Sequence, residues 1–253
     1  MRSLHKQDIC RRCVFALTAL IALAVPALTQ ERNLRSVLRV RVKPDRVGDF
    51  QAGVKEYSAI LKKANSERWG TWWVSLTGPR EYALVQYHAK WAELDVTQDP
   101  KLKDVAADVA RIMARLLQCS EGSDRIIEQV QHDLGLPMSQ ETPKMVRVIR
   151  TRVRPEKVND YMALVKSDLL PAITKSGAKL FVVARTRYGG PSSEFSSAVG
   201  INSWADLDGP PPVVRAMGEE GYRQFLAKLM PLVTETEYRM YQFLPDLSYI
   251  PGN

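Results

Sequence analysis

The chain is poor in cysteine and histidine, with three of each in 253 residues. Cys10 and Cys13 lie in the N-terminal region, so Cys119 is the one cysteine of the body of the chain. One cysteine cannot form an intramolecular disulfide, and on an apolar helix face it reads as core. His88 and His132 remain after the N-terminal region, and no Cys/His group has the spacing of metal ligands. G-x-x-x-x-G-K, G-x-G-x-x-G and G-x-S-x-G are all missing, so the sequence offers no phosphate loop, dinucleotide fingerprint or nucleophile elbow. Neither a cofactor nor a metal is expected. The second half of the chain has no histidine, which argues against two equivalent histidine sites and against a helix-borne haem ligand there. No Lys/Arg run is clustered enough to mark a nucleic-acid surface.

The longest apolar run, Val14 to Val25, falls short of the ~20 residues of a membrane-spanning helix. Arg2, Lys6, Arg11 and Arg12 precede it and Ala27-Leu28-Thr29 follows, which is the arrangement of a secretory signal. Residues 1–29 are therefore expected to be a signal peptide, with the mature protein periplasmic or secreted and off the membrane after cleavage. The formal charge of +8 then falls to +5, because residues 1–29 hold four Lys/Arg and one Asp.

A stretch that occurs twice dominates the rest. Val42-Lys-Pro-Asp-Arg-Val-Gly-Asp-Phe50 returns as Val153-Arg-Pro-Glu-Lys-Val-Asn-Asp-Tyr161, 111 positions on. Gly78-Pro79 matches Gly190-Pro191 at 112, and Trp91-Ala-Glu-Leu-Asp95 matches Trp204-Ala-Asp-Leu-Asp208 at 113. A long fixed period points to a duplicated unit. Val37–Val42 alternates as a half-buried strand, and Val47, Phe50, Val54, Tyr57 and Leu61 recur at helical spacing after Pro44. Continued through the chain, the pattern predicts β-α-β-β-α-β over 35–131, a linker at 132–144 and the same order over 145–247, with Gly189-Gly190-Pro191 as a hairpin loop.

That order, with the V-x-P-x-x-V-x-D-[FY] helix entry, resembles the dimeric α+β barrel superfamily. Within it the chain is similar to the antibiotic-biosynthesis-monooxygenase-like and NIPSNAP-like groups, fused in tandem. The implied fold is α+β: two tandem ferredoxin-like βαββαβ repeats that place their open sheet faces together as a pseudo-dimeric barrel. Further homodimerisation stays open.

Strand alternation puts Arg39 and Arg41, and at the 111 shift Arg150 and Arg152, on the face turned away from the helices. Trp73 joins them on the next strand, and a shift of 112 adds Arg185 and Arg187. Arginine offers a planar fork of donors to carboxylate or phosphate. One reading is a basic, partly aromatic cavity between the repeats that binds an anionic small organic molecule, such as a carboxylate. The other is that these arginines pair with Asp124, Glu128, Glu194 and Glu237 on neighbouring strands. His88 is a weak candidate for a general base, and no acid–base constellation is complete. Two function classes follow: an exported ligand-binding protein, or, as the resemblance implies, a cofactor-independent oxygenase or isomerase whose substrate supplies the electrons.

Overall fold

The computed structural model describes residues 32–66, 68–95, 99–138 and 141–250. The expected signal peptide lies outside them. In chain order the elements are β1 (Leu34–Val42), α1 (Val47–Lys63), β2 (Thr71–Ser75), β3 (Tyr82–His88), α2 (Ala106–Cys119) and β4 (Ser120–Val130). They continue with β5 (Met145–Val153), α3 (Val158–Leu164), α4 (Leu170–Lys175), β6 (Phe181–Tyr188), β7 (Glu194–Ile201), α5 (Pro212–Leu229) and β8 (Val233–Phe243). No helix among the described residues is long and apolar enough to cross a membrane.

Prolines set the local breaks. Pro44 and Pro155 each open a 3-10 turn ahead of α1 and α3, where a missing N–H leaves no bond unmade. Between α3 and α4 the chain passes through a π-turn at Val165–Leu169. Pro171 accounts for it: its ring would collide with the carbonyl four residues back, so the preceding turn widens. α5 bends at Gly218, whose φ of +77° lies in the left-handed region that glycine enters without a Cβ clash.

Hydrogen bonding between strands corrects the expected fold class. The eight strands form one closed antiparallel barrel in the order β1-β3-β2-β8-β5-β7-β6-β4. β2 pairs with β8 through Trp73↔Phe243 to Ser75↔Tyr241, and β4 pairs with β6 through Ile127↔Tyr188 to Val130↔Ala184. The chain is therefore not two tandem ferredoxin-like repeats with sheets of their own. Each half would have two free strand edges, and the edges join by backbone ladders where open faces were expected to meet. An exposed edge is a row of unmade hydrogen bonds, and closure removes it.

The two faces of the barrel wall differ. Outward residues pack under helices: Val40, Val42, Trp72 and Tyr82 against Phe50 and Val54 of α1 and Cys119 of α2. Phe181, Val183 and Phe195 pack in the same way against Val158 and Tyr161 of α3 and Ile173 of α4. Inward residues include Trp73, Ala83, Val146 and Tyr241.

The β6–β7 hairpin reaches back to β4 through Gly189, with φ +84°, where an added Cβ would sit 2.2 Å from the Arg125 carbonyl oxygen. Replacing Gly189 with alanine should lower stability by about 1–3 kcal/mol in urea denaturation. Gly190→Ala, at a neighbour whose Cβ would meet only the Thr186 methyl at 3.4 Å, should cost under ~1 kcal/mol.

Candidate functional site

Side chains pointing into a barrel alternate with those pointing out, so the ladders identify the interior set. On β1 it is Arg35, Val37, Arg39 and Arg41, and on β5 it is Val146, Val148, Arg150 and Arg152. The interior also carries carboxylates from β4, β7 and β8 and from Glu81, just ahead of β3. Arg35 Nε donates to Glu128 Oε2 at 2.8 Å, its Nη2 donates to Ser196 Oγ, and Ser196 donates to Glu128. Arg35 and Glu128 are 6% and 4% exposed. Burial works against the Arg35 charge, but Glu128 and the Tyr87 hydroxyl more than offset it, so the guanidinium pKa is raised. Arg239 bridges Glu81 at 2.9 Å and Glu237 at 2.6 Å, and Tyr241 donates to Glu81. Burial, then Glu81, push the Tyr241 hydroxyl up.

The arginines singled out from sequence separate into two groups. Arg39 is held by Asp124, with Nε at 2.8 Å from Oδ2, and Arg152 contacts Glu235 at 2.7 Å and Glu194 at 3.4 Å. Arg41 and Arg150 share this interior and make no ion pair among the described residues. Trp73 faces inward, donates Nε1–H to Thr71 Oγ1 at 2.9 Å and packs on Phe243 with ring centres 5.2 Å apart. Arg185 and Arg187 face outward. Arg185 donates to the Ser192 carbonyl at 2.7 Å and lies over the Phe195 ring, and Arg187 donates to Gln129. The 112 shift is one residue out for this strand: Ala184 and Thr186 hold the inward positions, and a slip of one flips every side chain. His88 also faces outward, 3.1 Å from Ser36 Oγ, and Ser36 is 1% exposed. Burial, helped by Arg125, lowers the His88 pKa against the opposing pull of Glu93. His88 itself is half-buried, and its outward position keeps it out of the barrel interior.

A different set gathers on the helix-covered outer face of β5, β7 and β8. Arg147 pairs in the ladders with Met240 and Val199, and Ile149 with Tyr238 and Ser197. The Arg147 Nε is buried and has no hydrogen-bond partner. Tyr222 of α5 feels the charges of both Tyr238 and Arg147, and its pKa is raised chiefly by burial. Tyr161 of α3 packs on Phe195 with ring centres 4.9 Å apart. Burial pushes its hydroxyl up to about 12, against the hydrogen bond with Thr151. Cover is incomplete here: Ile149 and Ser197 keep partial exposure and Tyr238 is 61% exposed. The result is a partly open apolar face with neutral phenol donors and one cation whose hydrogen-bonding is unfinished. None of these roles is visible in sequence spacing, because Arg147 lies in an ordinary strand alternation and Tyr222 follows the Gly218 bend. A third feature, an open groove of about 470 Å³ between α1 and the segment after β8, includes Gln51, Lys55, Phe243 and Asp246, and Lys55 and Asp246 face each other there at 3.6 Å as an exposed ion pair. Among the described residues, no group of three or more His, Cys, Asp or Glu could hold a metal.

No protein-family model and no curated protein matches the chain. Solved structures do match in fold. A candidate monooxygenase from Lactobacillus acidophilus NCFM is 10% identical with a TM-score of 0.58, over 88% of this chain and 98% of that one. An anthrone oxidase-like protein is 14% identical with a TM-score of 0.58, over 88% and 95%. A chlorite dismutase variant from Candidatus Nitrospira defluvii is 11% identical with a TM-score of 0.52, over 85% and 93%. The chain thus shares its overall fold with these proteins.

Two outcomes test these electrostatics. Glu128→Ala alone should cost ~3–5 kcal/mol in urea denaturation because it strands Arg35, and a double Arg35→Met, Glu128→Leu replacement should recover most of that loss. Tyr161 keeps its proton in the native state to about pH 12 while the unfolded chain releases it near the ordinary value of 10.0. Its contribution is therefore complete below pH 10 and lost as pH rises toward 12, by about 2–3 kcal/mol. Tyr161→Phe should flatten that part of the stability–pH curve relative to the parent.

Proposed function

We propose that the chain is a cofactor-independent oxygenase acting on an electron-rich aromatic, phenolic or anthrone-like, on the helix-covered face between α5 and the β5–β8 ladder. The observation that carries this reading is Arg147, a cation with a buried, unpartnered Nε on a face lined by Tyr161, Tyr222 and Tyr238. The fold likeness to monooxygenase and anthrone oxidase-like proteins supports the reaction class.

The chemistry needs little from the protein beyond placement and charge. An activated aromatic gives up a proton to solvent water at the open side of the face, leaving a phenolate or the enolate of an anthrone, and the guanidinium of Arg147 stabilises that anion in a partly dry setting. The anion is the electron source for dioxygen. For an anthrone methylene the balance is CH2 plus O2 giving C=O plus H2O. Tyr161 and Tyr222, whose hydroxyl pKa values burial raises, donate hydrogen bonds to substrate oxygens without competing as anions. Met240, Ile149, Val199 and Phe225 supply apolar contact, and the bend at Gly218 sets how far α5 closes over them. Export through the N-terminal segment belongs to the same proposal, and N-terminal sequencing of the mature protein reads the cleavage site.

Oxygen-electrode assays with dithranol and simple hydroquinones, without added cofactor, test the proposal. Uptake above the uncatalysed rate is expected for at least one, with Arg147→Met lowering kcat/KM by ~100-fold and Tyr222→Phe by ~10-fold. Uptake no faster than in buffer, or unchanged in Arg147→Met, would overturn it.

A further inference from the structure

Inside the barrel the charges can be matched one by one. Glu128 holds Arg35, Asp124 holds Arg39, Glu194 and Glu235 hold Arg152, and Glu81 and Glu237 hold Arg239. Six carboxylates thus serve four arginines. Arg41 and Arg150 are left over, and beyond their places in the backbone ladders neither side chain makes a hydrogen bond or ion pair among the described residues.

The ladders show why. Arg152 on β5 stands opposite Glu235 on β8, whereas Arg41 on β1 stands opposite Gly122 on β4. The Arg41 guanidinium lies over that glycine, and an added Cβ would be 2.9 Å from its Nη2. Where one half of the barrel has a carboxylate, the other has bare backbone. Arg150 has Glu237 and Ser196 as ladder neighbours, but Glu237 is engaged with Arg239 and Ser196 with Arg35 and Glu128.

The two arginines belong to the same mouth. β1 and β5 are separated by four antiparallel steps around the ring, so they run in the same direction and their C-terminal ends open at one end of the barrel. The interior of an eight-stranded barrel is narrow enough for side chains from opposite walls to fill it or hold one small ligand. Arg41 is exposed at the rim and Arg150 is partly buried below it. Arg150 has Glu237 beside it in the ladder but no ion pair of its own, and its free fork of donors matches the two oxygens of a carboxylate or the face of a phosphate.

We propose that this mouth, at the C-terminal ends of β1 and β5, binds a small oxyanion, carboxylate or phosphate, through Arg150 and Arg41. The site is separate from the face beneath α5, and its test reads binding alone, so it stands or falls independently of turnover.

Thermal unfolding is measured with inorganic phosphate and with phthalate, each against chloride at matched ionic strength. At least one should raise Tm by ~3 °C or more over chloride at saturating concentration. A response to phosphate alone assigns a phosphate ligand, and a response to phthalate alone a carboxylate. Gly122→Glu supplies Arg41 with the carboxylate that Glu235 gives Arg152, and Arg150→Gln removes the inner cation. In both variants the shift should fall below ~1 °C. Arg41→Gln, at an exposed position, reads the same contact without filling the space over Gly122 and should also weaken the response. No shift beyond chloride with either anion, or equal shifts in the parent and all three variants, would overturn the proposal.

Discussion

Edge-to-edge pairing is the constraint on which the other features depend. The seams between the halves are short: Leu244 N–H donates to the Trp72 carbonyl at 2.9 Å, Leu76 N–H to Met240 at 2.7 Å and Gln131 N–H to Val183 at 2.8 Å. Once they close, arginines that would face water in an open sheet face one another across a filled interior. The desolvation that follows is what forces the matching of Arg35 with Glu128 and of Arg239 with Glu81. These contacts also tie the halves, since Arg35 of β1 reaches Ser196 of β7 and Glu81, just ahead of β3, holds Arg239 of β8.

The same closure separates the molecule into two chemical environments. Inside, most charged groups are compensated, and the exceptions among the described residues are Arg41 and Arg150 toward one mouth and the buried hydroxyl of Thr186 opposite Glu128. Outside, helices form a second layer that is tight over β1 to β4, where Phe50, Val54, Tyr82 and Cys119 are buried together. It is looser over β5 to β8, where α3 is interrupted by a π-turn and α5 by Gly218. Ser36 is 1% exposed on the outer face of β1, whereas Arg147 brings an unpartnered donor to the outer face of β5. The two halves share an element order while their outer faces differ in chemistry.

Much of the architecture was legible in the sequence, and the limits have physical causes. Alternation in Val37–Val42 correctly turned Arg39 and Arg41 inward, because a strand's period of two is local and needs no partner. The fold class was misjudged because edge pairing is non-local: nothing in Trp73–Ser75 or Ile127–Val130 names the strand it will meet. Arg185 and Arg187 were put on the wrong face by one position of register, which a hairpin loop of uncertain length easily hides. Arg35 was missed because the strand begins at Leu34, before the alternation becomes clear. His88, the weak general-base candidate, faces outward, and the phenols and guanidinium of the β5–β8 face owe their surroundings to burial, which spacing does not reveal.

The account stands on the barrel being one cooperative closed unit. Native-state hydrogen exchange at the seam amides of Gln131, Leu76 and Leu244, compared with amides in the middle of the β5–β8 ladder, tests this most directly. Opening free energies at the seams within about 1 kcal/mol of the global value are predicted, since no seam can part without exposing interior charge. Seam amides that exchange several kcal/mol more easily, with both halves still protected, would show two sheets in loose contact and contradict the account.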